Sequence, residues 1–273
     1  MKVVVLDSLF SSLDVEREAA AAHGAELVAW DGDRRSLADA DVLAHVFTRV
    51  DRELLASAPR VRVVARFGTG LDTVADDVGV EVVGVRDYCV TELASQSLML
   101  AFALVRRLRE TEGRELAWDE LPELRRRSRA AVVGVGAVGS RVADALEALD
   151  YDVTRVGRGD TFAGAELVLL HASLTPETKG MVDARMLEEM RGAILVNTAR
   201  LGLLDEQAVA GAVEDGALAG LGLDARLPAA SPLRRLLGRP NVLVTPHLGW
   251  YSAESATELR RRAIDDALTK AGA

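Results

Sequence analysis

The segment Val132-Val133-Gly134-Val135-Gly136-Ala137-Val138-Gly139 constrains the fold more than any other part of the chain. An apolar, β-branched run feeds a Gly-x-Gly-x-x-Gly turn, and a helix-forming stretch follows at once, with Val142, Leu146 and Leu149 on one face. In that strand–turn–helix context each glycine has a separate job. Gly134 permits the tight turn, Gly136 lets backbone approach a pyrophosphate, and Gly139 lets helix pack closely on strand. The free N–H groups of Ala137, Val138 and Gly139 at the helix start suit negative charge, because the helix dipole points its positive end there. The segment therefore predicts an α/β fold with a dinucleotide site.

The chain has 273 residues, enough for two domains of about 150 residues each. Hydrophobic residues make up 49% and charged residues 27%, which gives ample material for packed cores. A net charge of −9 argues against a general nucleic-acid or membrane-surface role. The basic cluster Arg125-Arg126-Arg127-Ser128-Arg129 reads as the solvated end of a helix leading into the next strand. A single cysteine, Cys89, excludes an internal disulfide and reads as a packed thiol in a reducing compartment. No segment has the length and apolarity of a membrane span, and the start of the chain reads as a strand rather than a secretion signal, so a cytoplasmic protein is expected.

Short β-branched runs alternate with helical segments throughout, which argues for parallel sheets covered by helices. Strands are expected at Val3–Leu6, Glu26–Trp30, Val42–Val46, Val61–Ala65 and Val80–Val83 in a first group. A second group follows at Ala130–Val135, Asp152–Val156, Leu167–Leu170, Ala193–Val196, Leu218–Leu223 and Val242–Val244. A helix over about Thr91–Arg109 precedes an irregular polar stretch, 110–128. The last helix, Ala253 to Lys270, presents Ala256, Leu259, Ala263 and Ala267 on one face and can return to the first sheet. The expected architecture is two Rossmann-like domains with parallel sheets and a cleft between them. A flavodoxin-like substrate domain spans 1–88 plus 252–273, and a dinucleotide-binding domain spans 89–251.

Further blocks stand in order along the chain. They are Arg66-Phe67-Gly68-Thr69-Gly70-Leu71-Asp72, Asp87-Tyr88-Cys89-Val90-Thr91-Glu92, Ser173-Leu174-Thr175-Pro176-Glu177-Thr178-Lys179-Gly180, Val196-Asn197-Thr198-Ala199-Arg200, Gly222-Leu223-Asp224 and Thr245-Pro246-His247-Leu248-Gly249-Trp250-Tyr251-Ser252. With the glycine turn, they resemble the D-2-hydroxyacid dehydrogenase family, and within it the branch containing the C-terminal-binding proteins. The resemblance implies an NAD(P)-dependent oxidoreductase that moves a hydride between nicotinamide and a small 2-keto or 2-hydroxy acid. It implies Arg200 as the arginine that holds the carboxylate and polarises the keto oxygen, a task suited to a forked, permanently charged guanidinium. It implies His247 as the acid/base group, with a contact to the cofactor as well. Arg66, Thr69 and Gly70 would meet the substrate carboxylate, and Trp250 its side chain. Ser173, Thr178, Thr198, Ala199, Asp224 and Gly249 would complete the cofactor site, Asp224 facing the nicotinamide end. The family also implies a homodimer through the helix over 91–109, no nucleic-acid or membrane partner, and no metal.

Three departures from the family pattern bear on activity. The catalytic glutamate expected shortly after Asp224 is missing from Asp224-Ala225-Arg226-Leu227-Pro228-Ala229-Ala230-Ser231, so weak turnover is expected. Leu201 replaces a glycine after Arg200 and is expected to crowd the nicotinamide. The segments after Gly157 and around 110–128 are shortened. NAD sites usually carry an acid about 20 residues past the glycines. Here the strand ending at Val156 is followed by Gly157-Arg158-Gly159-Asp160. Arg158 meeting a 2′-phosphate points to NADP; Asp160 on the ribose would point to NAD. His171 is expected along the cofactor cleft, and His45 either reaches the substrate or is structural. A redox-inactive dinucleotide-sensing protein on the same fold is the alternative function.

Overall fold

The computed structural model describes residues 1–157 and 161–272. In chain order the strands are β1 (Lys2–Val5), β2 (Glu26–Ala29), β3 (Val42–His45), β4 (Val63–Arg66), β5 (Glu81–Gly84), β6 (Arg129–Val133), β7 (Asp152–Val156), β8 (Leu167–Leu170), β9 (Ile194–Asn197), β10 (Gly220–Asp224) and β11 (Val242–Thr245). The helices are α1 (Asp14–Ala22), α2 (Arg52–Leu55), α3 (Val90–Val105), α4 (Leu108–Thr111), α5 (Ala137–Glu147), α6 (Ala184–Glu189), α7 (Glu206–Glu214) and α8 (Ala253–Gly272). Contacts divide the chain into two units, one of Met1–Tyr88 with Ser252–Ala273 and one of Cys89–Tyr251.

The first unit holds a parallel sheet in the order β2-β1-β3-β4-β5. Val4, Leu43 and Val64 point from its central strands into a core with Leu37, Leu54 and Val61. The other face is covered by α8, which packs along β3, β4 and β5 and against α1. A buried ion pair fastens that helix. Glu16 on α1 is 0% exposed and accepts from Arg260 on α8 at 2.7 and 2.6 Å.

The second unit holds a six-stranded parallel sheet, β11-β10-β9-β8-β6-β7. Its central strands β8 and β9 are buried along their whole length. This explains their unbroken apolar runs, since a parallel sheet is covered on both faces. Alternate residues serve opposite cores. Ala130, Val132, Leu167, Leu169 and Val196 pack with Leu100 and Leu104 of α3 and Val142 and Leu146 of α5. Ala131, Val133, Val168, Leu170 and Leu195 pack with Leu187 of α6 and Val209 and Val213 of α7. Each fully buried leucine among them contributes about 1.5–3 kcal/mol.

Two expected elements differ. The helix over 91–109 ends at Val105, because Arg107 adopts a left-handed conformation (φ 51°) and starts the separate turn α4. The basic cluster before β6 is not a helix end. Residues 122–128 are irregular, and the Arg127 guanidinium donates to the carbonyls of Glu166 and Gly192 at 2.8 and 3.0 Å. Burial lowers its pKa.

Candidate active site

In a parallel sheet every strand delivers its last residue to the same edge, and the functional side chains of each unit follow that rule. In the second unit the turn after β6 behaves as its glycines require. Gly134 has φ +93°, and a Cβ there would lie 2.6 Å from the backbone nitrogen of Ala172. A Cβ on Gly139 would overlap the carbonyl oxygen of Gly134. At Gly136 nothing lies within 4 Å. The helix start beside that space has no side-chain cap, and the N–H groups of Ala137, Val138 and Gly139 donate to no backbone acceptor among the described residues. This cradle fits a pyrophosphate.

Arg200 follows β9. Asn197, 3% exposed at the strand end, donates from Nδ2 to the Arg200 carbonyl at 2.9 Å and accepts from the Ala199 N–H at 3.0 Å. The turn that presents the guanidinium is thus tied at both ends by one buried amide. Asn197 stands in the sequence inside the Val196–Arg200 block with no role assigned to it; its signal is a polar residue closing the apolar run Ile-Leu-Val. Thr198 is 3% exposed, and its hydroxyl is buried. Only its backbone can therefore serve a ligand as the site stands. Leu201, expected to crowd the nicotinamide, is half-buried and packs against the core that includes Val209 and Val213 of α7.

His247 follows β11 in the left-handed region, with φ 61°, a conformation that costs a non-glycine residue about 1–3 kcal/mol. Its Nδ1 lies 3.3 Å from the backbone carbonyl of Asp224. A carbonyl only accepts, so Nδ1 carries the hydrogen and the neutral ring presents Nε2 as its bare nitrogen. Among the described residues no carboxylate pairs with this imidazole. Asp224, expected to face the nicotinamide, is 2% exposed and is turned to the protein. Oδ1 accepts from Thr245 Oγ1 at 2.6 Å and from the Leu248 N–H at 2.9 Å, and Oδ2 accepts from the Gly249 N–H at 2.7 Å. Gly249, expected at the cofactor, is likewise buried, with its N–H committed to Asp224. Trp250 stands edge-on to Tyr251 at 5.5 Å.

Ser173 is exposed after β8, and its carbonyl accepts from Thr178 Oγ1 at 2.7 Å. That hydroxyl also accepts from the Thr175 N–H at 2.8 Å, so Thr178 knots the 173–179 turn. His171 sits under the glycine turn, its Cβ 3.4 Å from where a Gly139 Cβ would stand, and its Nε2 is 3.4 Å from the buried Ser97 hydroxyl. Burial pushes its pKa down to about 4. It is a neutral supporting residue. Arg158, on which the choice of NADP rests, lies outside the described residues.

In the first unit the strand ends carry Asp7, His45 and Arg66. Asp7 accepts from the N–H groups of Val46, Phe47 and Thr48 at 2.7, 2.9 and 2.6 Å. Burial pushes its pKa up, but these bonds and the Thr48 hydroxyl outweigh it and hold the carboxyl below its usual range. His45, 0% exposed, stands opposite Arg66 in the β3–β4 register, and neither ring nitrogen has a hydrogen-bond partner among the described residues. Burial, reinforced by the Arg66 charge, pushes its pKa down to about 4. The Arg66 guanidinium folds against its own loop, donating to the Phe67 carbonyl and filling the space where a Gly68 side chain would be. Thr69 gives its hydroxyl to the Val85 carbonyl at 2.8 Å. The N–H groups of Thr69 and Gly70 donate to no backbone acceptor among the described residues.

Comparison with known proteins bears on both units. Residues 98–249 match the family described as D-isomer specific 2-hydroxyacid dehydrogenase, NAD binding domain. A glycerate dehydrogenase of Methylorubrum extorquens is 31% identical over 242 residues, covering 78% of this chain and 77% of that protein. A D-3-phosphoglycerate dehydrogenase of Mycobacterium leprae is 35% identical over 245 residues, covering 78% of this chain but 46% of that protein, so the chain spans under half of its length. Among solved structures, the D-lactate dehydrogenase of Aquifex aeolicus complexed with NAD and lactic acid superposes with a TM-score of 0.84. It covers 97% of this chain and 93% of that one at 22% identity, a likeness of fold. Among the described residues no helix is long and apolar enough to cross a membrane, and no group of side chains could hold a metal.

Proposed function

The chain belongs to the D-isomer-specific 2-hydroxyacid dehydrogenase family, and on that premise we propose that it reduces a small 2-keto acid, weakly at neutral pH, with Arg200 and His247 as its catalytic residues. The observation that carries this reading is the His247 imidazole, held through Nδ1 with Nε2 free to handle a proton, on the sheet edge that also bears Arg200 and the uncapped start of α5.

Bound NAD(P) supplies or takes up the hydride. The N–H groups of Ala137, Val138 and Gly139 would hold its pyrophosphate. The backbone of Thr198 and Ala199 and the exposed Ser173 would line its course. Arg200 binds the substrate carboxylate and draws electron density from the carbonyl oxygen. In reduction His247 gives its Nε2 proton to that oxygen, making the hydroxyl; in oxidation Nε2 takes the proton back. Arg66 and the Thr69 and Gly70 N–H groups would hold carboxylate oxygens, and Trp250 would meet the substrate's side chain. Arg66 and Trp250 support placing the chain in the branch of the C-terminal-binding proteins. A carbonyl orients the imidazole without supplying the negative charge of the glutamate expected in the family. Reduction should therefore speed up as the pH falls.

Arg158, just past β7, supports NADP over NAD, and a lower Kd for NADH than for NADPH would reverse that assignment. The half-exposed Met99 and Leu108 on α3 and α4 support a homodimer through this region; a monomer by light scattering would overturn it. We place the protein in the cytoplasm, which fractionation checks.

The deciding experiment is a panel of 2-keto acids assayed with NADPH and NADH from about pH 5 to about pH 8. Turnover that rises toward low pH and falls about 1,000-fold in His247→Ala, with dinucleotide Kd unchanged, is expected. Tight dinucleotide binding with no turnover of any acid would defeat the catalytic reading.

A further inference from the structure

The loop that carries His247 is held by one carboxylate, and that carboxylate is not the group expected beside the imidazole. Asp224 ends β10 and sends its backbone and its side chain to different tasks. The backbone carbonyl takes the Nδ1 hydrogen of His247. The carboxylate takes the hydroxyl of Thr245 and the N–H groups of Leu248 and Gly249. These three donors bracket His247 on both sides in sequence. A fourth bond braces the clamp from α3, where Gln96 Nε2 donates to Thr245 Oγ1 at 2.9 Å. Space enforces the same arrangement: a Cβ on Gly249 would stand 2.8 Å from Asp224 Oδ2 and 2.9 Å from Gln96 Cγ.

Between those bonds sits a histidine at φ 61°, in a backbone state that its own side chain disfavours. Strain of that kind persists only where the surroundings over-determine it. Here Asp224 supplies them, because both of its oxygens must accept for the loop to close over residue 247. We infer that Asp224 is the positioning residue of this site. Its carboxylate fixes the strained loop so that its own carbonyl selects the Nδ1–H form of His247 and leaves Nε2 as the proton-handling atom. The inference rests on the proton-transfer role of His247 given above, and it reassigns Asp224 from cofactor contact to scaffold of the acid/base group. An isosteric amide cannot replace it. Asn has one accepting oxygen, and its NH₂ would face a backbone N–H or a hydroxyl donor, setting donor against donor.

The test reads the imidazole directly. The chain has four histidines, so nitrogen-15 NMR of the neutral rings, assigned with His247→Ala, gives the tautomer of His247 without any substrate. The wild-type ring should be the Nδ1–H form. Asp224→Asn should shift it to a mixture and lower kcat about 30-fold or more, with the dinucleotide Kd changed less than about 3-fold, because the carboxylate acts through the ring and not on the cofactor. Thr245→Val, which removes one bond of the clamp and keeps its shape, should move both readouts the same way by less, and it serves if the Asn variant fails to fold. An unchanged tautomer in a folded Asp224→Asn protein overturns the inference. So does a dinucleotide Kd weakened more than about tenfold with kcat retained, which would return Asp224 to the cofactor. A tautomer that shifts in a protein that turns over no keto acid would sink the proposed activity and leave the clamp standing.

Discussion

The two sheets repeat one strand–helix plan, yet they treat the anion-binding position of that plan in opposite ways. In each, the switch in strand order marks the crevice where a ligand would bind. In the Cys89–Tyr251 unit it lies between β6 and β8, and the turn there has three glycines, of which Gly136 borders open space, with helix N–H groups unclaimed. In the Met1–Tyr88 unit it lies between β1 and β3. There the chain's own Asp7 carboxylate accepts the N–H groups of Val46, Phe47 and Thr48. The fold offers donors at both places. Whether they serve a ligand or the protein is decided by a residue or two, a glycine in one unit and an acid in the other.

The largest expected effect probes how the first unit stays closed. Arg260→Ala leaves the fully buried Glu16 charge unpaired and also strips a cation from the Phe10 ring, 4.3 Å away. It should cost about 3–5 kcal/mol in urea unfolding. A loss under about 1 kcal/mol would mean that Glu16 finds another partner or takes up a proton.

Acid should strain both units. Folding keeps His45 and His171 neutral down to about pH 4, whereas an unfolded histidine binds its proton near 6.5. Below 6.5 the unfolded chain holds more protons, so stability falls with pH and the loss is complete below about 4. Each histidine accounts for about 3 kcal/mol. His45→Leu should remove the share belonging to the first unit, and at neutral pH it should be nearly neutral, because neither ring nitrogen leaves a stranded partner behind. Urea midpoints at pH 7 and pH 4.5 check this. An acid sensitivity unchanged by His45→Leu would assign the proton uptake elsewhere.

Asp7→Ala turns the closed crevice into an imitation of the open one. It should destabilise the chain by about 2–3 kcal/mol, since it strands N–H groups that the carboxylate now satisfies. Added phosphate should recover part of that loss if the comparison between the crevices is right, and thermal melts with and without phosphate read it.

The smallest effect on stability is the sharpest on function. Gly136→Ala meets nothing within 4 Å, so the melting temperature should not move. The methyl occupies the space kept for pyrophosphate, so dinucleotide Kd should rise about tenfold, or about 1.4 kcal/mol. Unaltered affinity would place the phosphates elsewhere.

Much of this was written in the chain itself. β-Branched runs separated by helical periods dictate parallel sheets, because only strands covered on both faces can be apolar at every position, as β8 and β9 are. The three glycines fixed the turn, since no side chain fits at Gly134 or Gly139. Arg200 and His247 stood out through the family blocks Val196–Arg200 and Thr245–Ser252 that hold them; as single side chains after strands they would have passed for an ion pair and a structural histidine. What the sequence left open was what those side chains rest on. The role of Gln96 and the inward turn of Asp224 depend on hydrogen bonds between residues far apart in the chain, such as the 149-residue separation between Gln96 and Thr245. The left-handed backbone of Arg107, which ends α3, and that of His247 were likewise not announced by residue type, since neither is a glycine. Periodicity reports which face of an element is buried, a local property. A polar side chain's partner is set by which strand ends become neighbours, and only the assembled sheet decides that.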